Sequence, residues 1–160
     1  MPSKRSHTVG LISDTHGLVR GGVHEALAGV ELILHAGDVG GQEILDELAL
    51  IAPVRAVYGN TDPPDMPGLA ETIAVTIGGV SIHVSHGHEI GSLTPTNLSD
   101  NYDADVLIYG HTHRQMVTRI GERLVINPGA AGPRRFNLRA SVGRLTNTER
   151  KAEVEIVELS

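Results

Sequence analysis

Five short apolar runs each stop at side chains that bind metals or move protons. Val9 to Ser13 leads into Asp14 and His16, and Leu32 to Ala36 leads through Gly37 to Asp38. Val54 to Tyr58 leads through Gly59 to Asn60. Val80 to Ser85 leads to His86 and His88, and Val106 to Tyr109 leads through Gly110 to His111 and His113. Taken alone, each residue has a bland reading: Asp14 as a turn or cap residue, Asn60 as a turn residue with left-handed backbone. Together they supply two carboxylates, one amide and five imidazoles, in a chain with nine histidines and only 2% aromatic residues. Such mixed oxygen and imidazole donors suit divalent Mn, Fe, Ni or Zn better than a calcium site or an all-oxygen magnesium cage. With no cysteine in the chain, thiolate ligands and disulfides are excluded. Asp14 and His16 are two residues apart, so on an extended segment they share a face, and His111 and His113 repeat that spacing.

These side chains need a scaffold that brings five run ends together. The apolar runs read as buried strands. Val23 to Leu27 reads as a short helix. Gln42 to Ile51 reads as another, with apolar residues at 44, 45, 48 and 51 and Pro53 beyond its end. Strands alternating with helices through Tyr58 argue for a parallel α/β sheet, in which ligands bind beyond the carboxyl ends of the strands. Further on, Gly78-Gly79 and Gly121-Glu122 mark two hairpins, Thr72–Ile77 with Val80–Ser85 and Gln115–Ile120 with Arg123–Asn127. Ser141 to Leu145 and Val154 to Leu159 read as closing strands. The expected fold is a single-domain α/β/β/α sandwich over residues 1–160. Two mixed β-sheets pack face to face, helices flank them, and the metal site lies at the carboxyl ends of the strands.

Composition narrows the function classes. A chain of 160 residues folds as one domain without staples. Its net charge of -6, from 13 basic and 19 acidic residues, argues against a stable nucleic-acid complex. No apolar run nears the ~20 residues of a membrane span, and the N-terminal apolar stretch is too short for a signal peptide. The expectation is a cytoplasmic protein, with no membrane partner and with homo-oligomerisation left open.

Asp14-x-His16, Gly37-Asp38, Gly59-Asn60, His86 and Gly110-His111-x-His113 stand in an order that resembles the calcineurin-like metallophosphoesterase superfamily. Ser85-His86-Gly87-His88 and Asn127-Pro128-Gly129 bring the likeness close to its small YfcE-like phosphodiesterases of bacteria and archaea. The resemblance runs from about Val9 to Phe136. It implies two divalent metal ions per chain, Mn favoured, with Ni, Fe, Zn or Mg compatible. One ion would take Asp14, His16, Asp38 and His113, the other Asp38, Asn60, His86 and His111, with Asp38 bridging. It also implies hydrolysis of phosphodiester bonds in small or nucleotide-like substrates by a metal-activated hydroxide, with catalytic roles for Asp38 and Asn60; His88, just beyond the ligand His86, is a further catalytic candidate, the leaving oxygen being protonated by it, by water, or not at all. The alternatives are a phosphomonoesterase acting on a small metabolite and a protein-binding scaffold resembling the retromer subunit of this fold. Larger superfamily members carry a histidine directly after the Asn60 position, where it assists the leaving group; here the residue is Thr61, as the YfcE-like branch also lacks that histidine.

Other residues keep two readings. His35 sits inside a strand and reads as a buried, hydrogen-bonded histidine rather than a ligand. His83 reads as a partly solvated sheet residue, and His7 and His24 as exposed. Asn127 either positions the loop near the metals, with a role in substrate binding, or caps the turn before Pro128. Arg134 and Arg135 either hold a substrate phosphate, which suits the guanidinium fork, or form a solvated pair.

Overall fold

The computed structural model describes residues 6–133 and 138–159. In chain order the elements are β1 (Ser6–Ile12), α1 (Gly21–Ala26), β2 (Leu32–His35), α2 (Gln42–Leu48) and β3 (Val54–Val57). There follow β4 (Leu69–Ala70), β5 (Ile73–Ile77), β6 (Val80–Val84), α3 (Pro95–Asn101) and β7 (Val106–Ile108). The last are β8 (Met116–Ile120), β9 (Arg123–Asn127), β10 (Ser141–Thr148) and β11 (Lys151–Glu158).

The strands form two mixed sheets, β11-β10-β1-β2-β3-β4 and β5-β6-β7-β9-β8. Within the first, β1, β2 and β3 run parallel, with Val9 opposite Leu32 and Ile33 opposite Val54. Within the second, β6 and β7 are parallel, with Ile82 opposite Val106. Their carboxyl ends are the five run ends that carry the candidate ligands.

Strands buried on both faces read as continuous apolar runs, and the packing follows residue by residue. Val9, Leu11, Leu34 and Val57 face Ile82, Val84, Val106, Ile108 and Ile126 between the sheets. Their neighbours Ile12, Ile33 and Ala56 point the other way, onto Val23 of α1 and Ile44, Leu45 and Leu48 of α2. Leu107 and Val125 cover the outer face of the second sheet with Leu98 of α3. This is the four-layer sandwich expected from the sequence. Helices of six or seven residues have no stability of their own; burial of these side chains, worth roughly 1.5–3 kcal/mol each, holds them in place.

Three local readings differ from expectation. The closing strands are longer than read and form a hairpin whose turn residues, Glu149 and Arg150, have left-handed backbone (φ 47° and 69°). Through β10 the hairpin pairs antiparallel with β1, so it completes the first sheet. Helix α3 and the two-residue β4 were not foreseen. Helix α3 starts at Thr94, whose side chain accepts from Asn97 N–H at 3.2 Å, with Pro95 in its first turn. No helix among the described residues is long and apolar enough to cross a membrane.

Candidate metal centre

The loops after β1 and β2 continue as a ladder past the end of the sheet. Asp14 N–H donates to Gly37 O at 2.9 Å, His16 N–H to Asp38 O at 2.9 Å and Gly17 N–H to Val39 O at 3.0 Å. Gly110 N–H donates to His86 O at 3.0 Å, tying the loops after β6 and β7 together. Asp14, His16, Asp38, His111 and His113 all have left-handed backbone, with φ between 45° and 70°. The expectation that Asp14/His16 and His111/His113 share a face on extended chain is therefore wrong in its geometry. They sit on tight turns, and the turns aim them together. Aspartate and histidine tolerate this region better than most residues, at a cost on the order of 1–2 kcal/mol each. The glycines before the candidate ligands also have a reason. A Cβ on Gly59 would run into Asp38 Oδ1, and one on Gly110 into Ser13 Oγ.

At the floor lie Asp14 and His86, almost wholly buried, and Asp38, 3% exposed. Asp14 Oδ1 lies 3.5 Å from His113 Nε2 and 3.9 Å from both His16 Nε2 and His86 Nε2. Asp38 Oδ2 lies 3.2 Å from His86 Nε2 and 3.5 Å from His16 Nε2. Asn60 Oδ1 is 3.1 Å from His86 Nε2, and the His111 ring stands edge-on to His86 with centroids 5.1 Å apart. Among the described residues, two groups have mutually close donor atoms: Asp14, His16 and His113, and Asp14, Asp38 and His86. By distance, Asp14 lies next to both.

This donor set fits metal ions. Ligand atoms bonded at about 2.1 Å to one ion sit roughly 3.0–3.5 Å from each other, which is the spacing of several of these pairs. Asp14 Oδ1 is buried without a hydrogen-bond partner, a state that costs free energy unless a cation meets it. His86 Nδ1–H donates to Ala36 O at 2.8 Å, so its Nε2 lone pair faces two acceptor oxygens and requires a proton or a cation between them. The electrostatics agree. Burial lifts the Asp14 carboxyl to about 6, against the partly offsetting charge of His86 and the hydrogen bond from Ser13. Burial acts to raise Asp38 too, but bonds from His86 and Thr61 prevail and hold it below the usual carboxylate range. His86 is pushed up despite burial, by its bond to Asp38 and the charge of Asp14.

Residues 8–150 match the calcineurin-like phosphoesterase superfamily domain. The chain belongs to that superfamily. Among its calcineurin-like relatives is a probable metallophosphoesterase of Methanocaldococcus jannaschii, 34% identical over 94% of this chain and 81% of the relative. A second M. jannaschii protein, a phosphodiesterase, is 30% identical over 76% of this chain and 82% of its own length. In structure the chain is similar to wild-type Vps29 of Entamoeba histolytica complexed with Zn2+. That likeness has a TM-score of 0.77 at 27% identity, covering 94% of this chain and 98% of the other.

The side chains around the donor set have defined tasks. Ser13 Oγ–H donates to Asp14 Oδ2 at 2.7 Å. Asp62, not singled out from the sequence, is buried and accepts from Val39 N–H (2.9 Å), Gly40 N–H (3.1 Å) and Gly59 N–H (3.0 Å), lashing the Asp38 loop to the Asn60 turn. Its signal was its place in Gly59-Asn60-Thr61-Asp62, where an aspartate can accept from the backbone of its own turn. Glu89 accepts from Gly87 N–H (3.0 Å) and from Tyr102 O–H (2.7 Å), bracing the loop that carries His86 and His88. His88 lies on the rim, its ring 5.3 Å from His86 and 6.5 Å from His111.

Asn127 has a different place from the substrate contact considered above. It is fully buried. Its Nδ2 donates to Gly110 O (3.2 Å) and Thr112 Oγ1 (2.9 Å), while its Oδ1 accepts from Gly129 N–H (2.9 Å). It holds the His111-Thr112-His113 turn and caps its own turn, with no amide group left for a substrate. Arg134 and Arg135 lie outside the described residues. His83 stacks on Tyr102 with centroids 3.9 Å apart.

His35 is buried and hydrogen-bonded on both ring nitrogens. Thr15 O–H donates to Val39 O at 2.7 Å, so His35 Nε2–H must donate to Thr15 Oγ1 at 2.9 Å, while Nδ1 accepts from Gly37 N–H at 3.1 Å. Burial pushes this neutral imidazole down to about 4. Between about pH 6.5 and pH 4 the unfolded chain therefore binds a proton at His35 that the folded protein does not, and stability falls as pH falls through that window. Going from about pH 7.5 to pH 5 should cost about 2 kcal/mol from this residue alone. H35Q keeps a donor for Thr15 but cannot charge. Denaturant unfolding of both metal-free proteins at the two pH values should show a smaller loss for H35Q, and equal losses would refute the assignment.

Proposed function

We propose that the protein is a phosphodiesterase acting through two divalent metal ions, Mn favoured. The observation that carries this reading is the buried Asp14 Oδ1, without a hydrogen-bond partner and ringed by three imidazole nitrogens within 3.9 Å. Asp14, His16 and His113 would hold one ion, Asn60, His86 and His111 the other, with Asp38 Oδ2 shared. Two such ions supply Lewis acidity and a nucleophilic water near neutral pH for an in-line displacement at phosphorus. The chain's own residues fix the rest. Asp14 and Asp38 neutralise part of the positive charge and leave an excess that draws an anionic substrate. The rim residues Asn60, His88 and His111 border the space where a substrate would sit. Small or nucleotide-like diesters are the substrate class.

The hydroxyl of Thr61 donates to Asp38, so it offers no proton to a leaving oxygen. General acid assistance, worth about 10²–10⁴-fold, would then have to come from His88 or be lacking. The rate should fall steeply as leaving-group pKa rises, with aryl diesters far ahead of alkyl ones. The test is the purified protein with added Mn2+ on a series of substituted aryl phosphodiesters, with the matching monoesters beside them. A flat plot with chemistry rate-limiting would mean that a side chain supplies the proton, and H88A should then steepen it. Preference for monoesters would move the assignment to a phosphomonoesterase. No turnover with any divalent metal would favour the protein-binding scaffold, a reading supported by the likeness to Vps29 structures.

A further inference from the structure

The two oxygens of Asp38 have different surroundings. Oδ1 accepts from the hydroxyl of Thr61 at 2.7 Å and from its backbone N–H at 3.0 Å. Oδ2 faces His86 Nε2 at 3.2 Å and His16 Nε2 at 3.5 Å. A carboxylate held at one oxygen by a single donor still rocks about Cβ–Cγ. Two donors from one residue, on one oxygen, fix the plane of the group. The donors are themselves fixed. Asp62 ties Gly59 N–H to Val39 N–H and Gly40 N–H, so the Thr61 turn and the Asp38 loop move as one piece. The hydrogen in place of a side chain at Gly59 lets Asp38 Oδ1 come down onto that turn. Thr61 is β-branched, which narrows its χ1 and keeps the hydroxyl aimed.

We propose that Thr61 is a positioning residue of the metal centre: its hydroxyl and amide hold Asp38 Oδ1 so that Oδ2 alone faces the two metal ions. The position after Asn60 thus serves the geometry of the shared carboxylate and not proton transfer. This inference rests on the two-metal reading above.

Thr61 is exposed at the surface, so its substitution leaves the buried core untouched. T61V removes the hydroxyl and keeps shape and amide; T61S keeps the hydroxyl. Each protein is stripped with a chelator and titrated with Mn2+ by calorimetry, with thermal unfolding of the stripped forms as the fold control. Loss of a group that orients a ligand costs about 10–100-fold in metal affinity. T61V should bind Mn2+ at least ~10-fold more weakly, and T61S should stay within ~3-fold of the unaltered protein. At saturating Mn2+, T61V should lower kcat on a chromogenic diester while leaving KM near its original value. Equal Mn2+ affinity in T61V and the unaltered protein overturns the inference and leaves the two-metal reading intact. T61S behaving like T61V also overturns it, since methyl packing and not the hydroxyl would then matter. An unaltered protein that takes up no Mn2+ removes both.

Discussion

Asp38→Asn should leave a folded protein whose turnover of a chromogenic diester has dropped by roughly 10³-fold or more, since the change removes a charged ligand from both proposed ions at once. The substitution is close to isosteric. Its remaining oxygen can still accept from Thr61 N–H and Oγ–H, the two bonds that anchor the native carboxylate. What changes is the other arm. An NH2 replaces Oδ2 and turns its hydrogens toward the space bounded by His86 and His16, at 3.2 and 3.5 Å. A donor there repels a cation and removes half the carboxylate charge of the floor. His16→Ala should cost less, because His16 is partly exposed and would serve only one of the two proposed ions. The measurements are turnover and metal content by elemental analysis. A D38N protein with near-normal rate and two bound ions would show that Asp38 is not the shared ligand, and Asp14, which lies beside both groups, would take its place.

Removing the metals should have a second large effect, on activity and on the fold together. Chelator-treated protein should be inactive and should recover with Mn2+. It should also melt lower. In the metal-free protein Asp14 titrates at about 6, above its ordinary 3.8. For a carboxyl with a raised folded pKa, the folded protein holds the extra proton between those values, so stability falls as pH rises through them. By pH 7 the metal-free fold carries a penalty of roughly 3 kcal/mol from this group, which a bound cation relieves. An ion present at about 1,000 times its Kd adds about 4 kcal/mol of stability, or ~10 °C in Tm for a chain of this size. The gain should be larger at pH 7.5 than at pH 5, where Asp14 is protonated and competes with the ion. Full activity in metal-free protein would end the metal-dependent reading. An unchanged Tm would mean that ions bind without meeting Asp14.

The candidate site was legible because apolar runs end at polar side chains and, at three of the five ends, a glycine comes just before them. Buried parallel strands leave unbroken apolar runs, and the glycines after β2, β3 and β7 mark places where one loop presses on the next ligand. Gly59 and Gly110 show this, each lying against an atom that any side chain would strike. The closing hairpin was read short because polar residues interrupt β10. Past Leu145 the run turns polar, and Asn147 Nδ2 donates to Ile77 O, a contact that makes it a strand residue only once the fold exists. Helix α3 has one buried apolar residue, Leu98, too few for a helical period. The parts of the site that stayed hidden are those set by contacts distant in sequence. The Glu89–Tyr102 brace and the bonds from Asp62 to the Asp38 loop have no local pattern. Asn127 could be read as loop support or as a turn cap, and only burial of its whole amide showed that it is both.

The left-handed turns at Asp14, His16, Asp38, His111 and His113 place the ligands on a thermodynamic slope. At each of them glycine would relax the backbone, and at Asp14 it would also remove a buried, poorly solvated carboxylate. Mutational drift in a lineage that needs neither the reaction nor the ions would therefore run downhill from the metal-free fold, deleting ligands while the sandwich gains stability relative to that state. The two sheets, whose cores share no side chain with the ligand set, would persist. In a fold built this way, chemistry is the most perishable property and shape the most durable.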